Sequence, residues 1–170
     1  VRFKLIGDRN KLPDFLQERL SNALNSTSKK TGLLLNLALN YGGRDEISRA
    51  VRNISELVKK GELQPDNIDE TLISANTYTA GLPDPDLIIR TSGELRLSNF
   101  LIWQAAYAEL YFTEVLWPDF KREDLHKAIL EYQNRKRRMG GTTSSDLISK
   151  SKKQVSRIVS DKSKNRLTEV

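Results

Sequence analysis

At 170 residues the chain is about one domain's worth of sequence, long enough to bury roughly 70% of its unfolded surface without staples. It has no cysteine, which excludes a disulfide framework, a thiolate metal site and a cysteine nucleophile; no apolar run reaches the ~18 residues of a membrane span, and no stretch reads as a signal peptide. The net charge of +6 is segregated, with 11 Lys/Arg against 3 Asp/Glu in residues 135–170 and 17 against 19 in residues 1–134, so the basicity belongs to the tail and argues against nucleic-acid binding by the body.

Val1-Arg2-Phe3-Lys4-Leu5-Ile6 alternates apolar and polar residues and stops at Gly7-Asp8, the pattern of a strand. The chain enters this strand directly, which reads as a fragment or a processed form. Residues 13–26 carry Phe15, Leu16, Leu20, Ala23 and Leu24 at helical spacing, with Pro13 at the start. The run Leu33 to Leu39 is almost wholly apolar and reads as a central parallel strand covered on both faces.

Tyr41-Gly42-Gly43-Arg44 breaks that strand. A helix follows whose stripe is Ile47, Ala50, Val51, Ile54, Leu57 and Val58, with Asp45 and Glu46 in the first turn, Lys59 and Lys60 in the last and Gly61 as the stop. Pro65-Asp66-Asn67-Ile68-Asp69 predicts another helix start, capped by Asp66. Leu87-Ile88-Ile89 is a third strand. From Ser98, the residues Phe100, Leu101, Trp103 and Ala106 predict an apolar helix capped by Ser98. Leu110-Tyr111-Phe112 opens a further short strand that ends by Trp117-Pro118. Residues 121–138 predict an amphipathic helix, and from Gly140 the chain is Ser/Thr/Lys-rich, weakly helical or disordered. Strands alternating with helices imply an α/β fold, a mostly parallel central sheet with helices on both faces, with ligands outside the carboxyl ends of the strands.

Those strand ends hold the chemistry. Arg90 follows a buried strand, where a charge needs a carboxylate or an anionic ligand. Arg96 lies beyond Gly93, and Ser98 would place a helix N-terminus nearby. Two guanidiniums, a hydroxyl and helix amides make a phosphate or diphosphate site; an arginine–carboxylate network with an ordinary cap is the alternative. Arg44 sits in a helix first turn, where the dipole disfavours it, so it calls for an anion or a carboxylate. The Gly42-Gly43 loop lacks the Lys-Ser/Thr of a Walker loop and is equally a tight strand-to-helix turn. Glu109 reads as a salt-bridge partner for one of the arginines or as a Mg²⁺ ligand. His126, the only histidine, lies on a polar helix side and makes a poor base. The run Arg135-Lys136-Arg137-Arg138 suits a helix C-terminus or an anion contact.

Four motifs in order carry a resemblance: Asn40-Tyr41-Gly42-Gly43-Arg44-Asp45-Glu46-Ile47; Asp86 to Glu94; Arg96-Leu97-Ser98-Asn99-Phe100-Leu101 with Trp103-Gln104; and Ala108-Glu109-Leu110-Tyr111-Phe112 with Trp117-Pro118. Together they resemble the cis-prenyltransferases of the undecaprenyl diphosphate synthase type, over residues 1–141. The resemblance implies Mg²⁺-dependent condensation of isopentenyl diphosphate with an allylic diphosphate such as farnesyl diphosphate, by a cytoplasmic homodimer. It implies that Arg90, Arg96, Leu97 and Ser98 bind isopentenyl diphosphate, that Glu109 holds Mg²⁺, that Arg138 and Gly140 reach the partner's phosphates, and that the strand at 33–39 and the helix after Arg44 wall the tunnel for the growing chain. The family's Asp-Gly-Asn loop, with its key aspartate, has no counterpart in these residues: Gly7-Asp8-Arg9-Asn10 matches a later family segment. The 170 residues are therefore expected to be inactive alone. Residues 142–170 have no family counterpart and would serve as a peripheral membrane contact. The competing readings are a non-catalytic partner subunit of the same fold and nucleic-acid binding through the basic tail.

Overall fold

The structure, a computed structural model, describes residues 1–135. The chain divides after Tyr132, and the fold described here is that of Val1–Tyr132. Arg138, Gly140 and residues 142–170 lie outside the described residues.

Among the described residues there are four strands and four α-helices. β1 (Arg2–Ile6) leads to α1 (Asp14–Thr27), β2 (Leu34–Ala38), α2 (Gly43–Lys59), α3 (Glu70–Ala75), β3 (Leu87–Arg90), β4 (Glu109–Phe112) and α4 (Arg122–Asn134). The pairing is parallel, as the sequence predicts. It comes, however, as two separate ladders, β1 with β2 and β3 with β4, rather than as one continuous sheet. In register, Arg2 faces Leu34 and Ile6 faces Ala38; Leu87 faces Glu109 and Arg90 faces Phe112.

The carboxyl ends of β1 and β2 are held very close. Leu39 N donates to Ile6 O at 3.1 Å, Asp8 N to Asn40 O at 3.2 Å and Asn40 Nδ2 to Asp8 O at 2.9 Å. Gly7 has φ of 113°, and a Cβ there would lie 2.1 Å from Leu39 O, so only glycine permits the approach. At the other end, Thr27 Oγ1 at the close of α1 accepts from Phe3 N at 3.2 Å.

Among the described residues the buried apolar ones are few: Ile6 on β1, Ala50 and Ile54 on α2, Ile88 on β3 and Ala128 on α4. α2 buries Ala50 and Ile54 of its expected stripe, while Val51 is 53% exposed, and it closes at Gly61, which takes the left-handed φ of 73° that suits a helix stop. β2 departs from expectation. It is a strand, yet Leu33 beside it is 71% exposed and Leu35 is 41% exposed, so it is not covered on both faces.

Two further elements differ. Asp66 does not cap a helix; Pro65–Asn67 forms a 3₁₀ turn, and Asp69 caps α3 by accepting from Leu72 N at 2.7 Å. No helix opens at Ser98. Ser98, Asn99 and Leu101 have φ of 48°, 65° and 47°, left-handed values that break a right-handed helix. The segment runs as turns into a 3₁₀ helix at Gln104–Tyr107. No helix among the described residues is long and apolar enough to cross a membrane.

Candidate functional site

The structure joins the two glycine-bearing loops, which the sequence reads as separate. Gly43 N donates to Asn99 O at 2.7 Å and Arg44 N to Asn99 Oδ1 at 2.8 Å. Asn99 thereby caps α2 from a loop 55 residues away. Tyr41 packs edge-on against Phe100 with ring centroids 5.8 Å apart. The fit is tight: a Cβ on Gly42 would lie 2.8 Å from Asn99 Nδ2, and one on Gly43 2.7 Å from Ile102 Cγ1. The glycines of this turn therefore serve close approach of the 98–102 loop. Because Asn99 takes the Gly43 and Arg44 amides, those amides are not offered to an anion.

Glu46 is the buried anchor of this arrangement. It is 0% exposed and accepts from Tyr41 Oη at 2.7 Å, Tyr78 N at 2.7 Å and Gln104 Nε2 at 3.0 Å. No cation pairs with it among the described residues, so three donors satisfy the carboxylate. Gln104 Nε2 also reaches Thr79 Oγ1 at 2.8 Å. Burial first, and then its hydrogen bond to Glu46, push the Tyr41 hydroxyl far above its ordinary value, keeping it a donor. Burial likewise raises Tyr78, whose ring lies under the Arg49 guanidinium at 4.0 Å.

Arg90 closes β3 half-buried, and its Nε has no hydrogen-bond partner. An orphaned donor at a strand's carboxyl end is a group that an anion can satisfy. Thr113 N donates to Arg90 O, and Ser92 N and Gly93 N donate to Val115 O and Thr113 O, so the loop is pinned along the chain that follows β4. Arg96 is turned outward: its side chain is 68% exposed and pairs with Glu94. Ser98 is exposed and caps no helix, so the anion site expected here has no helix N-terminus. Leu97 is half-buried, and its carbonyl accepts from Phe100 N at 3.0 Å. Arg44 is exposed on the first turn of α2 and forms no ion pair among the described residues.

Glu109 opens β4, with its amide donating to Asp86 O at 2.9 Å. In register it faces Leu87, three residues along the ladder from Arg90. At ~3.3 Å per residue that is roughly 10 Å between backbone positions. Among the described residues no group of three or more acidic, histidine or cysteine side chains could hold a metal by itself. His126 is exposed, as read from the sequence.

Sequence reasoning missed Asn99 and Glu46 as organising residues. Glu46 was visible only as a dipole-favoured first-turn acid, and its partners at 78 and 104 are 32 and 58 residues away. For Asn99, its place beside Ser98 in a motif was the available signal.

The fold and this loop pair define a parallel α/β protein with basic loops at the carboxyl ends of its strands. The family model described as undecaprenyl diphosphate synthase matches residues 1–140, and the chain belongs to that family. It is similar to the isoprenyl transferase of Clostridium tetani, 55% identical over 136 residues that cover 80% of this chain and 53% of that protein. The isoprenyl transferase of Streptococcus agalactiae is 54% identical over 144 residues, covering 82% and 58%. Among solved structures, lavandulyl diphosphate synthase from Lavandula x intermedia, in complex with dimethylallyl diphosphate, aligns with a TM-score of 0.80 at 42% identity, covering 82% of this chain and 60% of that one. A probable undecaprenyl diphosphate synthase from Campylobacter jejuni aligns with a TM-score of 0.69 at 36% identity, covering 82% and 63%. The chain thus spans just over half the length of the curated relatives it matches.

Proposed function

We propose that this chain serves cis-prenyl chain elongation, condensing isopentenyl diphosphate with an allylic diphosphate, and that residues 90–98 hold the isopentenyl diphosphate. The observation that carries this reading is Arg90, half-buried at the end of β3 with an unpartnered Nε, on a loop that Asn99 fixes to α2. Membership of the family supports the reaction class. A relative of the same fold was solved with dimethylallyl diphosphate, which supports an allylic diphosphate as the second substrate.

In this reading Arg90 donates to the diphosphate from within the strand end. Arg96 exchanges Glu94 for the ligand, which its exposure allows, and Ser98 Oγ donates beside it. Charge-assisted bonds of this kind hold and orient the diphosphate so that its alkene faces the allylic carbon. The apolar surface of β2, with Leu33 and Leu35 exposed, supports a wall for the prenyl chain that keeps water from the allylic cation. The donor set suits Mg²⁺ only with substrate help: Glu109 would give one carboxylate and diphosphate oxygens the rest, the arrangement this ion favours. Bound Mg²⁺ would neutralise charge on the departing diphosphate. Residues 1–141 act as the family domain in this reading, a homodimer is supported by the exposed Tyr107 and Trp117, and the assignments of Arg138, Gly140 and residues 142–170 concern positions outside the described residues.

Calorimetric titration of isopentenyl diphosphate into the 170-residue chain tests the reading. Arg90→Gln and Arg96→Gln are each expected to weaken binding by about tenfold or more, the worth of a charge-assisted contact. Equal affinity in both variants would sink the assignment.

A further inference from the structure

A second cationic cleft, of about 650 Å³, opens where β1 ends and α2 runs past it. Its volume lies within the range of small-molecule sites. Five cations line it against two carboxylates, Asp8 and Asp45. None of these residues belongs to the 90–98 loop.

The cations differ in how they are held. Arg49 and Arg52 lie on α2 with Asp45 at spacings of four and seven, one face of the helix. Arg49 is fixed in place: its guanidinium stacks on Tyr78 at 4.0 Å and its Nη2 donates to Asn76 O at 2.8 Å. Its Nε is buried and has no hydrogen-bond partner. Lys4 on β1 and Arg52 form no ion pair among the described residues. Lys11 is paired with Asp8 at 3.4 Å, and Arg9 reaches Ser21 Oγ at 3.4 Å. A buried, unsatisfied guanidinium nitrogen beside two unpaired cations is an arrangement that an anion completes. Stacking on Tyr78 pre-organises the fork, so little side-chain freedom remains to be lost on binding.

We propose that this cleft is a second anion site, which takes the phosphate or diphosphate group of a small molecule on Lys4, Arg49 and Arg52, with Leu5 and Leu24 offering apolar contact beside it. The site is separate in sequence from the isopentenyl diphosphate loop and does not depend on that assignment.

The test uses inorganic phosphate and inorganic diphosphate as probes, titrated into the ¹⁵N-labelled 170-residue chain at fixed salt. Chemical shifts of the arginine Nε–H groups and calorimetry are the readouts. The expected result is a binding event that shifts the Arg49 Nε–H resonance, persists in the Arg90→Gln/Arg96→Gln double variant, and weakens by about tenfold in Lys4→Gln/Arg52→Gln. Circular dichroism checks that the second variant folds. If it does not, Arg52→Gln alone, at an exposed position, is expected to weaken the event about threefold. Loss of all diphosphate binding in Arg90→Gln/Arg96→Gln, or unchanged affinity in the Arg52→Gln variants, would overturn the proposal. The first of those outcomes leaves the isopentenyl diphosphate assignment standing, so the two readings fail separately.

Discussion

Glu46 concentrates the chemistry of this fold at one side chain. A fully buried carboxylate that accepts from Tyr41, Tyr78 and Gln104 cannot lose its donors cheaply. Glu46→Ala strands three donors, and the expected cost is about 3–5 kcal/mol, measured by urea denaturation. Tyr41→Phe removes one donor and is expected to cost about 1–2 kcal/mol. The pH dependence follows from the raised Tyr41 hydroxyl. A group whose folded value exceeds its unfolded value of about 10 contributes stability that is fully present below pH ~10 and is lost as the pH rises above it. Urea midpoints from pH 8 to 11 should therefore fall more steeply in the wild type than in Tyr41→Phe. Parallel slopes would remove Tyr41 as the cause. None of this was legible in the sequence, where Glu46 and Asp45 are equivalent first-turn acids. What separates them is three-dimensional: Asp45 is exposed on the cleft side and Glu46 is turned into the protein.

At the scale of elements, the strands and three of the four helices were readable because their apolar spacing decides them locally. β1, β2, β3 and β4 fall where alternating or continuous apolar runs predict, and α2 ends at its glycine. The segment after Ser98 was not readable, since its apolar residues imitate a helical stripe while the chain obeys a long-range bond from Gly43 N to Asn99 O. That junction makes two contrasting glycine predictions. Gly43→Ala drives a methyl into Ile102 and the Asn99 carbonyl and is expected to destabilise by about 1–3 kcal/mol, while also weakening isopentenyl diphosphate binding by displacing the loop. Gly61→Ala has open space around it and loses only its left-handed freedom, about 1 kcal/mol, with ligand binding unchanged. Thermal melts together with titrations distinguish the two.

For the molecule as a whole, the family motifs were legible because they are long and ordered, and the family match over residues 1–140 bears them out. The parallel α/β class was legible from the alternation of elements. The exposure of β2 was not, because an apolar run reports composition and not what covers it. With Leu33 at 71% and Leu35 at 41% exposed, this surface is apolar and open to contact. Leu33→Lys is expected to lower light scattering at high protein concentration without changing the circular dichroism spectrum. Scattering that matches the wild type would place the sticky surface elsewhere.

The division into two ladders has a consequence for cooperativity. Among the described residues no strand hydrogen bond joins the β1–β2 ladder to the β3–β4 ladder, so neither is obliged to open with the other. Local opening then proceeds in separate units. Amide hydrogen exchange should resolve two protection classes, one spanning Arg2–Ile6 with Leu34–Ala38 and the other Leu87–Arg90 with Glu109–Phe112. A diphosphate bound at Arg90 should slow exchange in the second class far more than in the first.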